Sequence, residues 1–160
     1  MRHFPAMGAP RYDEHPGWIL DLTARHDEQQ SDAQETRRVT VHVCDTCRSG
    51  QEAADAPRDG ALLSERTKTL AAEGRDVIEI RAVACLANCK RGLSASIQSA
   101  DGWSYVFGDL TTEAAADLLT GARLLATSPD GLMPWKGRPD TLKRGMIARI
   151  PPLRSISPES

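Results

Sequence analysis

The chain has 160 residues, 40% of them hydrophobic and 26% charged, with a formal net charge of −2. That length fits one ordinary domain with some tail and is too short for two comfortable ones. So small a charge argues against a nucleic-acid binder or a membrane-surface binder working by electrostatics, and an aromatic content of 4% argues against a base-stacking platform.

Residues 1–38 read as an N-terminal extension. Pro5, Pro10 and Pro16 and the polar run from Asp27 to Asp32 interrupt any periodicity, and too few apolar residues remain to build a core. The exception is Gly17-Trp18-Ile19-Leu20-Asp21-Leu22, a short anchor for the domain or for a partner. Trp18-Ile19-Leu20 is the longest apolar run of this segment, so no secretory signal is expected. Nowhere does an apolar run approach the length that a bilayer needs. These readings predict a cytoplasmic, reducing setting, in which four cysteines serve metal ligation or redox chemistry and not two structural disulfides.

A domain is expected over residues 39–131. It opens on Val39-Thr40-Val41-His42-Val43, a β-branched strand ending at Cys44. After a polar loop, Ala61 to Glu73 reads as a helix, with Leu62, Leu63 and Leu70 apolar, Asp59 at its start and Gly74 as its stop. Val77 to Ala84 is a second strand, with Ile78, Ile80, Ala82 and Ala84 on one face. Two short strands follow, Ser94 to Ser99 and Trp103 to Phe107, around Asp101-Gly102, a strong hairpin signal. Trp103, Tyr105 and Phe107 share a face and read as core. Thr111 or Thr112 then caps a helix in which Ala115, Leu118, Leu119, Ala122 and Leu125 repeat at helical spacing. From Leu132 the composition turns basic and proline-rich, predicting a C-terminal tail over 132–160 with one short helix within Asp140–Ile150. The order is β-α-β-β-β-α, an α/β single domain with irregular extensions.

The four cysteines fall in two close pairs, Cys44-Asp45-Thr46-Cys47 and Cys85-Leu86-Ala87-Asn88-Cys89, each directly after a strand. If the two strands are parallel neighbours joined by a helix, both pairs emerge at one edge of the sheet. Four thiolates suit a [2Fe–2S] cluster or an all-cysteine zinc site, and spacing alone does not separate the two. A C-x2-C after a strand in a βαβ setting is also a dithiol redox motif. That third reading leaves Cys85 and Cys89 unexplained.

The strand running into Cys44 and Cys47, the Cys85-Leu86-Ala87-Asn88-Cys89-Lys90-Arg91-Gly92-Leu93 block, the paired strands and the last helix together resemble the thioredoxin-like [2Fe–2S] ferredoxins over about residues 39–127. The match is specific at Cys85, Leu86 and Cys89. This resemblance implies a thioredoxin-like fold, a [2Fe–2S] cluster on Cys44, Cys47, Cys85 and Cys89, and an electron carrier that is not itself an enzyme. It also implies a redox partner protein and pairing of two copies as a homodimer. The first cysteine pair is closer together than is usual in that group, which keeps zinc open. The segment from Trp135 to Pro152 is similar to an uncharacterised bacterial family of predicted metal-binding proteins.

Other residues weigh less. Arg48, Lys90 and Arg91 flank the cysteines and would raise the potential of a bound cluster, dock an acidic partner, or simply be solvated. Backbone N–H groups near Gly50 and Gly92 are candidates to meet the sulfurs. His42 reads as a strand histidine with a hydrogen-bond partner, and His3, His15 and His26 lack ligand spacing. Met133 and Met146 read as gap-fillers.

Overall fold

In the computed structural model, residues 36–48, 56–74 and 77–153 are described. The expectations for the N-terminal extension before Thr36, for the loop at 49–55 with Gly50, and for the tail beyond Leu153 lie outside them. Five strands form one sheet: β1 (Val39–Cys44), β2 (Ile78–Val83), β3 (Ala95–Ser99), β4 (Ser104–Phe107) and β5 (Met146–Ile150). The helices are α1 (Asp59–Glu73), α2 (Ala115–Ala126) and the short α3 (Asp140–Arg144).

The strand order is β2-β1-β3-β4-β5. β1 and β2 run parallel, with Val39 opposite Ile78 and Cys44 opposite Val83, and the other neighbours are antiparallel. A βαβ unit, then a hairpin beside the first strand, then a closing helix is the thioredoxin-like arrangement expected from the sequence. Alternation explains why β1 sits in the centre: Val39, Val41 and Val43 are buried, while Thr40 and His42 on the other face are only half-buried. α1 and α2 pack on each other and both on β1, so they share one face of the sheet.

The α2 repeat lands as read, with Ala115, Leu118, Leu119, Ala122 and Leu125 all buried. In α1 the buried stripe is instead Gly60, Leu63, Ser64, Thr67 and Ala71, while Leu62 and Leu70 face solvent. Leu63 lands as read, and the small side chains around it bring this helix close to the sheet, which Leu62 and Leu70 on that face would prevent. Thr67 satisfies its buried hydroxyl by donating to the Leu63 carbonyl at 2.7 Å.

The C-terminal segment departs most from expectation. In place of an irregular tail with one helix, Leu132 to Leu153 wraps onto the domain, and the stretch read as one helix splits into α3 and β5. Gly145 ends α3, and β5 then adds an edge strand to β4, with Tyr105 opposite Arg149. Met133 and Leu142 are fully buried. At the other end, Thr36 to Arg38, read as extension, belong to the domain: Arg37 donates to the carbonyls of Ser128 (3.1 Å) and Pro129 (3.0 Å) at the end of α2. The hairpin forms as read. Gly102 is needed there for close approach, since a Cβ would lie 2.9 Å from the Gly131 carbonyl oxygen, and Trp103 N–H donates to that oxygen at 2.9 Å.

Candidate metal centre

Because β1 and β2 are parallel neighbours, their C-terminal ends coincide, and all four cysteines leave the sheet at that edge. Backbone hydrogen bonds hold the first loop to its neighbours. Cys44 N–H donates to the Ser94 carbonyl (3.0 Å), and Asp45 N–H donates to the Val83 carbonyl (3.0 Å). The Thr46 hydroxyl donates to the Ala84 carbonyl, and Arg58 Nη1 reaches the Thr46 carbonyl at 3.1 Å. The turn from Cys44 to Cys47 is thereby fastened to the residue just before Cys85.

Helix α1 begins against the same turn. Gly60 N–H donates to the Cys47 carbonyl at 3.1 Å, and a Cβ at Gly60 would stand 2.1 Å from the Cys44 carbonyl oxygen. Only glycine allows the helix to start this close. The second loop turns at Ala87, whose φ of 58° is left-handed, and this directs Ala87 N–H onto Cys85 Sγ at 3.2 Å. A single 3₁₀ turn, Cys89–Arg91, follows. Asn88 closes the loop through Nδ2 to Ser94 Oγ (2.9 Å) and to the Arg91 carbonyl (3.3 Å). Arg91 is paired with Asp109 at 2.6 Å, so of the three basic residues expected to face a cluster or partner, this one is engaged within the domain.

All four thiols are free; Cys44 and Cys47 are buried, whereas Cys85 and Cys89 are exposed. Burial pushes the Cys44 thiol up, but hydrogen bonds from the Cys47 thiol, the Leu86 N–H and Thr46 prevail and leave it lowered. Its neighbour moves the other way. Burial, the hydrogen bond with Cys44 and the negative charge of Cys44 and Cys89 push Cys47 up to about 11, against the Ser94 N–H, which lowers it. These are the signs expected of two thiols sharing one proton. His42 is partnered as expected, with Nδ1 at 3.4 Å from Ser96 Oγ; burial and then Arg81 lower its pKa.

The donor chemistry of the site fits an iron–sulfur cluster or zinc. The Ala87 N–H points at Cys85 Sγ, the Leu86 and Ser94 N–H groups act to lower the thiol pKa of Cys44 and Cys47 respectively, and such donors stabilise thiolate and sulfide charge. The Ala87 N–H was not foreseen from sequence, where groups near Gly50 and Gly92 were the candidates. The arrangement is not closed around an ion, however. Among the described residues, no three His, Cys, Asp or Glu side chains are grouped so as to hold a metal. Cys44 and Cys47 belong to one turn, and no third thiol is grouped with them closely enough to hold an ion. One carboxylate oxygen of Asp45, which follows Cys44 in the chain, is buried without a partner.

Residues 41–152 match a family model described as "Protein of unknown function (DUF1636)". Among curated proteins none matches this chain. Among solved structures, the chain is similar to a thioredoxin-like [2Fe–2S] ferredoxin from Aquifex aeolicus, at 16% identity and a TM-score of 0.49, over 74% of this chain and 99% of that one. Among the described residues, no helix is long and apolar enough to cross a membrane.

Proposed function

This chain belongs to the DUF1636 family of proteins of unknown function, and we propose that it holds a [2Fe–2S] cluster on Cys44, Cys47, Cys85 and Cys89 and passes single electrons to a partner oxidoreductase. The observation that carries this reading is the emergence of both thiol pairs at one sheet edge, with the Ala87 N–H already turned onto the Cys85 sulfur. A cluster bound there would supply one-electron redox chemistry near the surface. The chain's own part is positional. The fastened turn holds Cys44 and Cys47 in the protein interior, and the loop from Cys85 to Cys89 presents its thiols from the solvent side. For a four-thiolate site, that loop has to fold inward over the first pair.

A second reading rests on Cys44 and Cys47 as two free, buried thiols of one turn: a dithiol that cycles with a disulfide. The same four thiolates would also suit structural zinc. One experiment separates all three. Anaerobically purified protein is scanned in the visible before and after dithionite, with iron, zinc and sulfide counted on the same sample. Two irons and two sulfides per chain with a bleaching chromophore support the electron carrier. One zinc and no colour refute it. In the metal readings, Cys85→Ser abolishes stoichiometric metal; if the wild-type protein carries no metal and the variant keeps a reversible Cys44–Cys47 disulfide, the dithiol reading holds instead.

A further inference from the structure

Far from the thiols in sequence, the C-terminal segment builds a cluster of cations and aromatic rings. Arg138 is 6% exposed, and its guanidinium lies between the rings of Tyr105 (5.5 Å to the centroid) and Trp135 (5.4 Å). Lys143 Nζ approaches the Trp135 ring at 5.7 Å, and Arg149 lies 5.2 Å over Trp103. Arg149 is the cross-strand neighbour of Tyr105, close enough to Arg138 for the two positive charges to repel.

A guanidinium does not shed its charge on burial, so it is normally paired with a carboxylate. Among the described residues, neither Arg138 nor Arg149 has one. The nearby Asp140 is engaged by Lys143 at 3.1 Å. Arg138 does bond the Met133 carbonyl, and ring faces favour a cation. That clamp leaves its Nε buried without any acceptor and does nothing to offset the repulsion from Arg149. Two unpaired guanidiniums on one face, walled by Trp135 with 64% of its surface exposed, are an incomplete electrostatic arrangement in a protein of net charge −2.

We infer that Arg138 and Arg149, bordered by Trp103 and Trp135, form a binding site for a small oxyanion of the phosphate or carboxylate class. Planar guanidiniums match both anions, and the ring faces beside them hold the two cations in place. The site is separate from the thiols and independent of what they bind.

The test follows indole N–H resonances of the full ¹⁵N-labelled chain, assigned with Trp135→Phe and Trp103→Phe. Sodium phosphate and sodium acetate are titrated separately against sodium chloride at matched ionic strength. A saturable shift of the Trp135 and Trp103 signals is expected with at least one oxyanion and not with chloride, and the stronger responder identifies the class. Arg149→Gln, at an exposed position, should weaken binding about tenfold, the loss expected for one charge-assisted contact. Arg138→Lys, which keeps the charge but loses the fork, should weaken it similarly. Shifts no larger than those with chloride would overturn the inference. So would a saturable response that Arg149→Gln leaves unchanged.

Discussion

Gly60 offers the sharpest test of how the thiol edge is built. Replacing it with alanine places a Cβ 2.1 Å from the Cys44 carbonyl oxygen and 3.1 Å from Cys47 N. Restoring an ordinary separation of about 3.5 Å requires helix and turn to part by roughly 1.4 Å. Because the obstacle is backbone, no side-chain rotation relieves it. The movement also breaks the 3.1 Å bond from Gly60 N–H to the Cys47 carbonyl, a loss of about 1 kcal/mol. Overpacking of this kind adds about 1–3 kcal/mol, and better helix propensity returns at most about 1 kcal/mol. The net expectation is a destabilisation of about 1–3 kcal/mol, read from urea unfolding, together with a fall in bound metal per chain. Gly92→Ala is the matched control. Its Cβ would meet Cys47 Sγ at 3.5 Å, an ordinary contact, and its φ of −70° and ψ of 152° suit any residue, so stability should change by no more than about 0.5 kcal/mol. Equal stability and metal content in Gly60→Ala and wild type would refute the argument that α1 supports the cysteine turn.

Leu142→Ala should lower stability by about 2–5 kcal/mol in the same assay, because Leu142 is fully buried and its Cδ1 lies against Gly121 of α2. A loss below about 1 kcal/mol would mean that the C-terminal segment is not part of the core. Asp130 governs part of the acid response. The Ser128 hydroxyl and the Leu132 N–H, at 2.6 and 2.9 Å, hold its carboxyl below the usual range. The stability this gives is fully present above the unfolded pKa of about 3.9 and is lost as pH falls through the lower folded value. Asp130→Asn should therefore flatten the fall in urea midpoint below about pH 4, and an unchanged slope would exclude Asp130 as a contributor.

How much of this was legible varied with the kind of signal. β1, the hairpin and α2 were readable because period-2 and period-3.6 patterns of large apolar residues report burial directly. The emergence of both cysteine pairs at one edge of the sheet was readable too, since a helix between two strands implies a parallel pair with coincident ends. The buried face of α1 was not. Gly60, Ser64 and Thr67 are buried because they are small, and hydrophobicity ranks Leu62 and Leu70 above them. The pair α3 and β5 was hidden for another reason. Met146-Ile147-Ala148-Arg149-Ile150 is an edge strand with three exposed members, so its partner is β4 and not the interior, and periodicity carries no trace of a cross-strand partner. The Ala87 N–H that meets the Cys85 sulfur depends on the left-handed turn at Ala87, which an alanine in the sequence does not announce.

The fastening of Ala84 by Thr46, and of the loop's far side by Asn88, has a thermodynamic consequence. Between those two points lie only Cys85, Leu86 and Ala87, a span of roughly 10 Å even when fully extended. For Cys85, joining the buried pair around an ion would then be a local closure of a few backbone dihedrals on a finished scaffold. In small zinc fingers the affinity for metal is largely the free energy of folding, and chelators unfold them. Here the two should be nearly separable. The β-sheet, α1 and α2 would persist through repeated loading and stripping, and the affinity of the site would measure the thiolates and their N–H donors almost undiluted by the fold.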